Sequence, residues 1–149
     1  MAPPVERAMS YSIPSEKEVS EALLEVLNVS LTVRSQTLLH RLVLVKLRER
    51  ADRPVVLSEQ RLRRIAANLK GVDLIIHCRE GARGSQRVRC PVCGTMMEKV
   101  KNATLYGWTV STGKTCPVCH YWTGSRERIP IRYVFTIEKG RYLGERMGQ

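Results

Sequence analysis

The sequence of 149 residues has only eight aromatic residues, only 14 acidic residues and no long apolar run. Its longest apolar stretches, such as Leu42–Val45 and Leu74–Ile76, are far shorter than the ~18 residues that a membrane-spanning helix needs. A transmembrane protein is therefore not expected. Residues Met1–Arg7 also lack the apolar core of a signal peptide, which predicts a cytoplasmic protein.

The shortage of acidic residues leaves the chain strongly basic. It has 25 lysines and arginines, and its formal net charge is +11. Such a surplus of positive charge is typical of proteins that bind nucleic acid, although an acidic protein surface or an anionic lipid can also be the partner.

The composition changes at residues 81–84, which predicts two modules. Residues 1–84 hold 14 basic and 10 acidic residues, whereas residues 85–149 hold 11 and 4. Seven of the eight aromatic residues and four of the five cysteines also follow Gly84, whereas the aliphatic helical patterns precede it. We therefore expect a helical N-terminal module and a basic C-terminal module built around cysteine.

Two amphipathic helices are predicted first. Ser15 and Glu18 have the spacing of a capping box, and five apolar residues follow at helical intervals. A second helix is expected from about Ser35 to Arg50, before the break at Pro54. The predicted inward residues are Val19, Ala22, Leu23, Val26 and Leu27 in the first helix, and Leu38, Leu39, Leu42 and Val45 in the second, with Val43 as a further candidate.

A third helix and a β-hairpin are predicted next. Ser58 can cap the helix and Gly71 can end it, and its apolar stripe is Leu62, Ile65, Ala66 and Leu69. Residues 72–78 then alternate as a strand that is expected to turn at 81–84 and return through 85–89. This order is typical of a winged helix-turn-helix, whose third helix enters the major groove while the turn contacts phosphate or the minor groove.

Basic and polar side chains on these elements are candidate contacts with nucleic acid. Guanidinium and amide groups can make paired hydrogen bonds to base edges or phosphate oxygens. The alternatives are a solvated helix face and a winged helix that docks a protein. The candidates are Arg61, Arg63, Arg64 and Asn68 on the third helix, Arg83 in the turn, and Arg87 and Lys114 in the C-terminal module.

Two matching cysteine motifs are the strongest chemical pattern. They are Cys90–Gly94 and Cys116–His120, each of the form Cys-Pro-Val-Cys-x, and 22 residues separate Cys93 from Cys116. A tight turn brings the two thiolates of each motif to one side, so that Cys90, Cys93, Cys116 and Cys119 complete a tetrahedral Zn²⁺ site. Four thiolates leave no open position, which predicts one structural ion. Iron and two disulfides are the alternatives, and a reducing compartment disfavours the disulfides.

Other residues near these motifs have less specific interpretations. His120 could replace a cysteine ligand, although it directly adjoins Cys119. The aromatic residues can build the core of a small zinc module or stack on bases. They are Tyr106, Trp108, Tyr121 and Trp122.

Enzymatic activity is not expected from the sequence. The Gly113–Thr115 segment has the Gly-Lys-Thr of a P-loop, but Gly107 is one residue out of register and the strand-loop-helix unit is absent. No residue pair suggests a catalytic dyad.

Residues 85–137 resemble a zinc ribbon of the transcription and translation machinery. With the preceding helices, the chain resembles small archaeal-type proteins that join a winged helix to a zinc ribbon. The resemblance implies an α+β protein that binds DNA, with RNA as the alternative nucleic acid, as a transcription regulator or an accessory factor. We expect a flexible arm at 1–14, a winged helix-turn-helix at 15–84, an antiparallel β zinc ribbon at 85–137 and a polar tail at 138–149.

Paired Cys-Pro-x-Cys motifs also resemble those of RING-type ubiquitin ligases. A RING uses eight ligands, whereas this chain supplies four and lacks the middle Cys-x-His group. A single-zinc adaptor could still dock a partner protein through Val92, Val118 and Trp122. A RING-like component of a ubiquitin-type conjugation system is therefore the alternative function.

Overall fold

The computed structural model describes residues 10–84, 87–103, 107 and 109–137, and these residues form an α+β fold as predicted. The helices are α1 (Glu16–Ser30), α2 (Gln36–Arg50) and α3 (Glu59–Asn68). The strands are β1 (Thr32–Val33), β2 (Val72–Arg83), β3 (Glu98–Ala103), β4 (Thr109–Thr115), β5 (Trp122–Thr123) and β6 (Arg126–Ile137). The predicted tail at 138–149 and the first nine residues of the predicted arm lie outside the described residues.

Each helix begins after a serine N-cap, and the sequence predicts this role for Ser15 and Ser58. Ser15 and Glu18 form the predicted capping box, with each side chain accepting from the other residue's backbone N–H. Ser35 accepts from the N–H of Leu38, and Ser58 accepts from that of Arg61. These bonds satisfy N–H groups that have no partner within the helix, so the helix starts are fixed locally.

The three helices share one apolar core. All five inward residues predicted for α1 are buried, and so are Leu62, Ile65 and Ala66 of α3. In α2 the buried residues are Leu39, Val43 and Leu47, whereas Leu38 and Val45 are exposed, so their predicted inward placement was wrong. Apolar residues lie on several sides of α2, and packing against the other elements selects the Leu39, Val43 and Leu47 row.

The largest difference from the sequence predictions is the partner of β2. The predicted hairpin between β2 and residues 85–89 is wrong, because β2 continues to Arg83 and pairs antiparallel with β6. β6 also pairs with β1, which gives a sheet in the order β1-β6-β2. Register partners Leu74 and Phe135 lie on the face that packs against the helices. The last strand therefore completes the helical core, although it falls within the zinc ribbon predicted at 85–137.

Residues 87–125, here called the cysteine module, lie in the chain between β2 and β6. They contain the second sheet, of order β3-β4-β5, and both cysteine motifs. β4 passes very close to β5, since a Cβ atom on Gly113 would lie 2.2 Å from the carbonyl oxygen of Thr123. Gly113 of the Gly-Lys-Thr segment therefore serves strand packing.

The cysteine module packs against the helical core. Its own cluster contains the four motif cysteines, Val92 and Tyr121, all of them buried. Leu74 and Tyr133 contact both this cluster and the helical core. No helix among the described residues is both long and apolar enough to cross a membrane.

Because β6 lies at the centre of the helical sheet, Phe135→Ala should destabilise the helices. Phe135 is fully buried in the helical core, and such a truncation costs about 3–5 kcal/mol. We expect this loss in the free energy of unfolding when urea denaturation is followed by the helical circular dichroism signal.

The matched control is Ile131→Ala on the same strand. Ile131 is exposed beside the register shift between His77 and Cys78, so its truncation should change the free energy of unfolding by less than about 0.5 kcal/mol. Equal losses in the two variants would contradict the central placement of β6.

Candidate metal centre

The two cysteine motifs fold into knuckles with the same backbone geometry. In the first knuckle (Cys90–Gly94), the N–H of Gly94 donates to the Cys90 carbonyl at 2.9 Å. In the second knuckle (Cys116–His120), the N–H of His120 donates to the Cys116 carbonyl at 3.1 Å. Gly94 and His120 both have positive φ, of 81° and 65°. His120 thus holds the position of a turn glycine and is exposed to solvent.

The knuckles bring four buried thiols together. The sulfur atoms of Cys90, Cys93, Cys116 and Cys119 all lie within 4.8 Å of one another. The Cys90–Cys119 and Cys93–Cys116 sulfur distances are both 3.4 Å, far beyond a disulfide bond of ~2.05 Å, and all four are free thiols. A tetrahedron with metal–sulfur bonds of ~2.3 Å has sulfur–sulfur edges of roughly 3.8 Å. The four cysteines can therefore hold a metal ion, and His120 is not part of the group.

The surroundings of the thiols suit thiolate ligands. Backbone N–H groups donate to sulfur in both knuckles, from Val92 to Cys90 at 3.3 Å and from Cys119 to Cys116 at 3.5 Å. The hydrogen bond with Cys119 lowers the pKa of the Cys90 thiol, and the same bond, with burial, raises the pKa of Cys119. Burial also raises the pKa of Cys116. Four adjacent thiolates repel one another, so a cation is needed for all four to be ionised.

Arg63 ties the first knuckle to α3. Its side chain is only 9% exposed. The guanidinium donates to the carbonyls of Val92 at 2.6 Å and Pro91 at 3.5 Å, and to the Gln36 side chain at 3.0 Å. It also lies 4.8 Å from the ring centre of Tyr133. Arg63, a predicted nucleic-acid contact, therefore connects α3 to α2, to the first knuckle and to β6 in this structure.

The neighbouring candidates on α3 are more accessible. Arg64 and Asn68 are exposed one turn apart, and the Asn68 amide donates to the Arg64 carbonyl at 2.8 Å. The Arg64 guanidinium passes 3.3 Å from where a Cβ of Gly94 would lie, so α3 runs close to the first knuckle. Arg61 is half-buried, and its Nη1 atom is buried with no hydrogen-bond partner among the described residues.

The other candidate contacts lie on the strands and the cysteine module. Arg87 forms an ion pair with Glu127 at 2.6 Å, and Lys114 donates to the Arg87 carbonyl at 2.6 Å. Arg83 is exposed at the end of β2, where Arg126 of β6 is its register partner. The structure thus brings Arg64 and Asn68 together on α3 and groups Arg87 with Lys114 elsewhere.

The aromatic residues near the second knuckle differ in burial. Tyr121 is buried in the cysteine cluster, whereas Trp122 is exposed. Tyr106 and Trp108 lie outside the described residues. Of the residues considered for protein docking, Val92 is fully buried.

One cleft was not foreseen from the sequence. It has a volume of about 440 Å³ and lies between the end of α3, the start of β2 and the second knuckle. Asn68, Lys70 and His120 are among its lining residues. Sequence patterns could not reveal it, because its two walls are about 50 residues apart in the chain.

Comparison of the chain with protein-family models, with curated proteins and with solved structures finds no match in any of the three. The site therefore has to be interpreted from its own geometry and chemistry.

Removing one cysteine of the group should release the metal. We expect the wild-type protein to bind one ion per chain, and Cys93→Ser to lose the ion and the fold of the cysteine module, because metal binding is coupled to folding. Metal content by mass spectrometry and near-ultraviolet circular dichroism measure the two effects. The control is Cys78→Ser, which removes the fifth cysteine and should retain the ion. Full metal content in Cys93→Ser would contradict the assignment.

Arg63→Ala should destabilise the fold although it changes a basic residue on a helix. The substitution leaves the buried carbonyl of Val92 without its charged donor, which costs about 2–3 kcal/mol. Urea unfolding of the metal-loaded protein measures the loss, and the adjacent exposed residue provides the control, with Arg64→Ala expected to change stability by less than about 0.5 kcal/mol. Similar losses of stability in both variants would contradict the role of Arg63 in holding the first knuckle against α3.

Proposed function

We propose that the protein binds nucleic acid through a winged helix whose wing is replaced by a zinc ribbon. The observation that carries this proposal is the topology of the helical core. Three helices, with β1 between the first two, precede the antiparallel pair β2 and β6, and the sheet has the order β1-β6-β2. In a winged helix the last two strands form the hairpin that carries the wing. Here the cysteine module stands between those strands.

The exposed face of α3 supports a role in recognition. Leu62, Ile65 and Ala66 are buried, whereas Gln60, Arg64 and Asn68 are exposed. The exposed residues are four apart in sequence, so they form one stripe along the helix. Glutamine, arginine and asparagine are side chains that read base edges in the major groove through paired hydrogen bonds.

Zinc is the ion that best fits the four cysteines. A closed tetrahedral site of four thiolates is typical of structural zinc, and the reducing cytoplasm in which we place the protein keeps the thiols free. When bound, the ion would supply the charge that keeps four thiolates together. Its role would be to fix both knuckles, and through the contacts of Arg63 the position of α3.

The overall charge supports nucleic acid as the partner and duplex DNA as its first candidate. Zinc with four thiolates carries a formal charge of −2, which the +11 of the chain exceeds by a wide margin. The proposed role is that of a DNA-binding transcription regulator or of an accessory factor of the transcription machinery.

The experiment that tests the proposal is fluorescence anisotropy of the zinc-loaded protein with labelled duplex DNA at increasing salt. With three or four phosphate contacts, affinity should fall roughly 40- to 150-fold from ~50 to ~200 mM salt. The double variant Arg64→Ala/Asn68→Ala should weaken duplex binding by about 10-fold or more, because it removes paired contacts from the stripe on α3.

The matched control is Asn28→Ala/Arg41→Ala, which removes the same two residue types from exposed positions of α1 and α2. Its affinity for duplex DNA should stay close to that of the wild type. Equal losses in both double variants would exclude α3 as the recognition helix. If no nucleic acid binds at low salt, the basic surfaces would instead serve a protein partner, as in the docking adaptor.

A further inference from the structure

A second basic surface, in addition to the stripe on α3, lies where β2 ends and β6 begins. There Arg83 and Arg126 are register partners on adjacent strands, and both are exposed. Within the described part of the chain, no acidic side chain pairs with either guanidinium. Like charges directly opposite each other destabilise an antiparallel pair. An anion bound between these two arginines would remove that repulsion.

Trp122 lies in β5, four residues before Arg126, and is a large aromatic residue that is exposed to solvent. Its accessibility is 53%, although the Arg128 guanidinium lies 3.9 Å from its ring centre. The same guanidinium donates to the Trp122 carbonyl at 3.2 Å. The hydrogen bond and the cation–π contact hold Arg128 against the indole. The neighbouring Tyr121 is buried among the motif cysteines, whereas Trp122 is not a member of that cluster. Packing in the core therefore gives no reason for a large aromatic residue at position 122.

The turn between β5 and β6 connects the strand that carries Trp122 to the strand that carries Arg126 and Arg128. The Thr123 hydroxyl donates to the Arg126 carbonyl at 3.1 Å, which fixes the turn. The acidic groups nearby are Glu80, the register partner of Arg128, and Glu127, which is paired with Arg87. Among the residues described here, Arg83, Arg126 and Arg128 outnumber Glu80, the acidic residue for which no ion pair is seen, so the surface is positive.

We propose that this end of the molecule binds an unpaired nucleotide. Its base would stack on the exposed surface of Trp122, and its phosphates would pair with the guanidinium groups of Arg83 and Arg126. This inference rests on the proposed nucleic-acid binding and adds a site distinct from the stripe on α3. In a duplex both faces of each base are covered by neighbouring bases, so an exposed indole selects unpaired nucleotides.

The test uses the full-length, zinc-loaded protein with Trp108→Phe, which leaves Trp122 as the sole tryptophan. The probes are oligo-dT and oligo-rU of about 12 nucleotides, within the size range of single-strand sites, and a duplex of equal length. Tryptophan fluorescence should be quenched by the single strands, in step with their anisotropy, and not by the duplex. The comparison of oligo-dT with oligo-rU distinguishes DNA from RNA as the source of the nucleotide.

The variant that tests stacking is Trp122→Leu. It should weaken single-strand binding by roughly 5- to 150-fold, the range that loss of one stacked base gives, and leave duplex binding within about twofold. Trp122→Phe should retain most of the affinity, because a smaller aromatic ring remains. Tyr11→Leu is the matched control, since Tyr11 is also 53% exposed and should not affect binding. Arg83→Gln and Arg126→Gln should each reduce the salt dependence by about one phosphate contact.

The outcomes separate this site from the proposed function. Single-strand binding without quenching, or with equal affinity in Trp122→Leu, overturns the nucleotide site and leaves duplex recognition by α3 intact. Equal losses on single strands and duplex in Trp122→Leu also overturn it. Absence of binding to every probe at low salt contradicts the proposed function itself. If Trp122→Leu loses its zinc or its helical circular dichroism signal, the quenching measurement and Trp122→Phe decide the question.

Discussion

Strand β6 follows the cysteine module in the chain and pairs with both β1 and β2 at the centre of the helical sheet. The rest of the architecture depends on this pairing. Phe135 and Ile137 enter the helical core, and Tyr133 contacts both clusters. The module is joined to the helical core through both β2 and β6, and Leu74 and Tyr133 of these strands pack against both apolar clusters. The ordering entropy of a connection of some 40 residues is offset by the apolar surface that β6 buries.

The contact between α3 and the first knuckle connects the candidate metal centre to the helical core. Arg63 donates to two knuckle carbonyls, and Gly94 lets the Arg64 side chain pass close to the backbone. The same helix presents Gln60, Arg64 and Asn68 to solvent. A helix that is held from one side by a rigid knuckle loses less conformational freedom when its other side binds a ligand. This arrangement favours a structural role for the ion in presenting α3.

Local signals in the sequence predicted local structure well. Ser15 and Ser58 cap their helices as expected, and the Cys-Pro-Val-Cys repeats identify a group of thiols that can hold a metal. The sequence could not identify the partner of β2, because pairing between strands separated by the cysteine module depends on burial of distant residues. For the same reason, the composition of α3 could not distinguish Arg63, which is buried against the knuckle, from Arg64, which is exposed.

The burial of Arg63 also bears on the charge of the metal centre. A buried guanidinium is costly unless it is hydrogen-bonded and its charge is balanced. Its hydrogen-bond partners are carbonyl and amide oxygens, and no carboxylate within the described residues pairs with it. Val92 and Pro91, which accept from it, lie between Cys90 and Cys93. With zinc bound as proposed, the four thiolates leave a formal charge of −2 next to these carbonyls. A bound ion and Arg63 would then stabilise each other, which gives a physical reason for the inward placement of Arg63 beside the exposed Arg64.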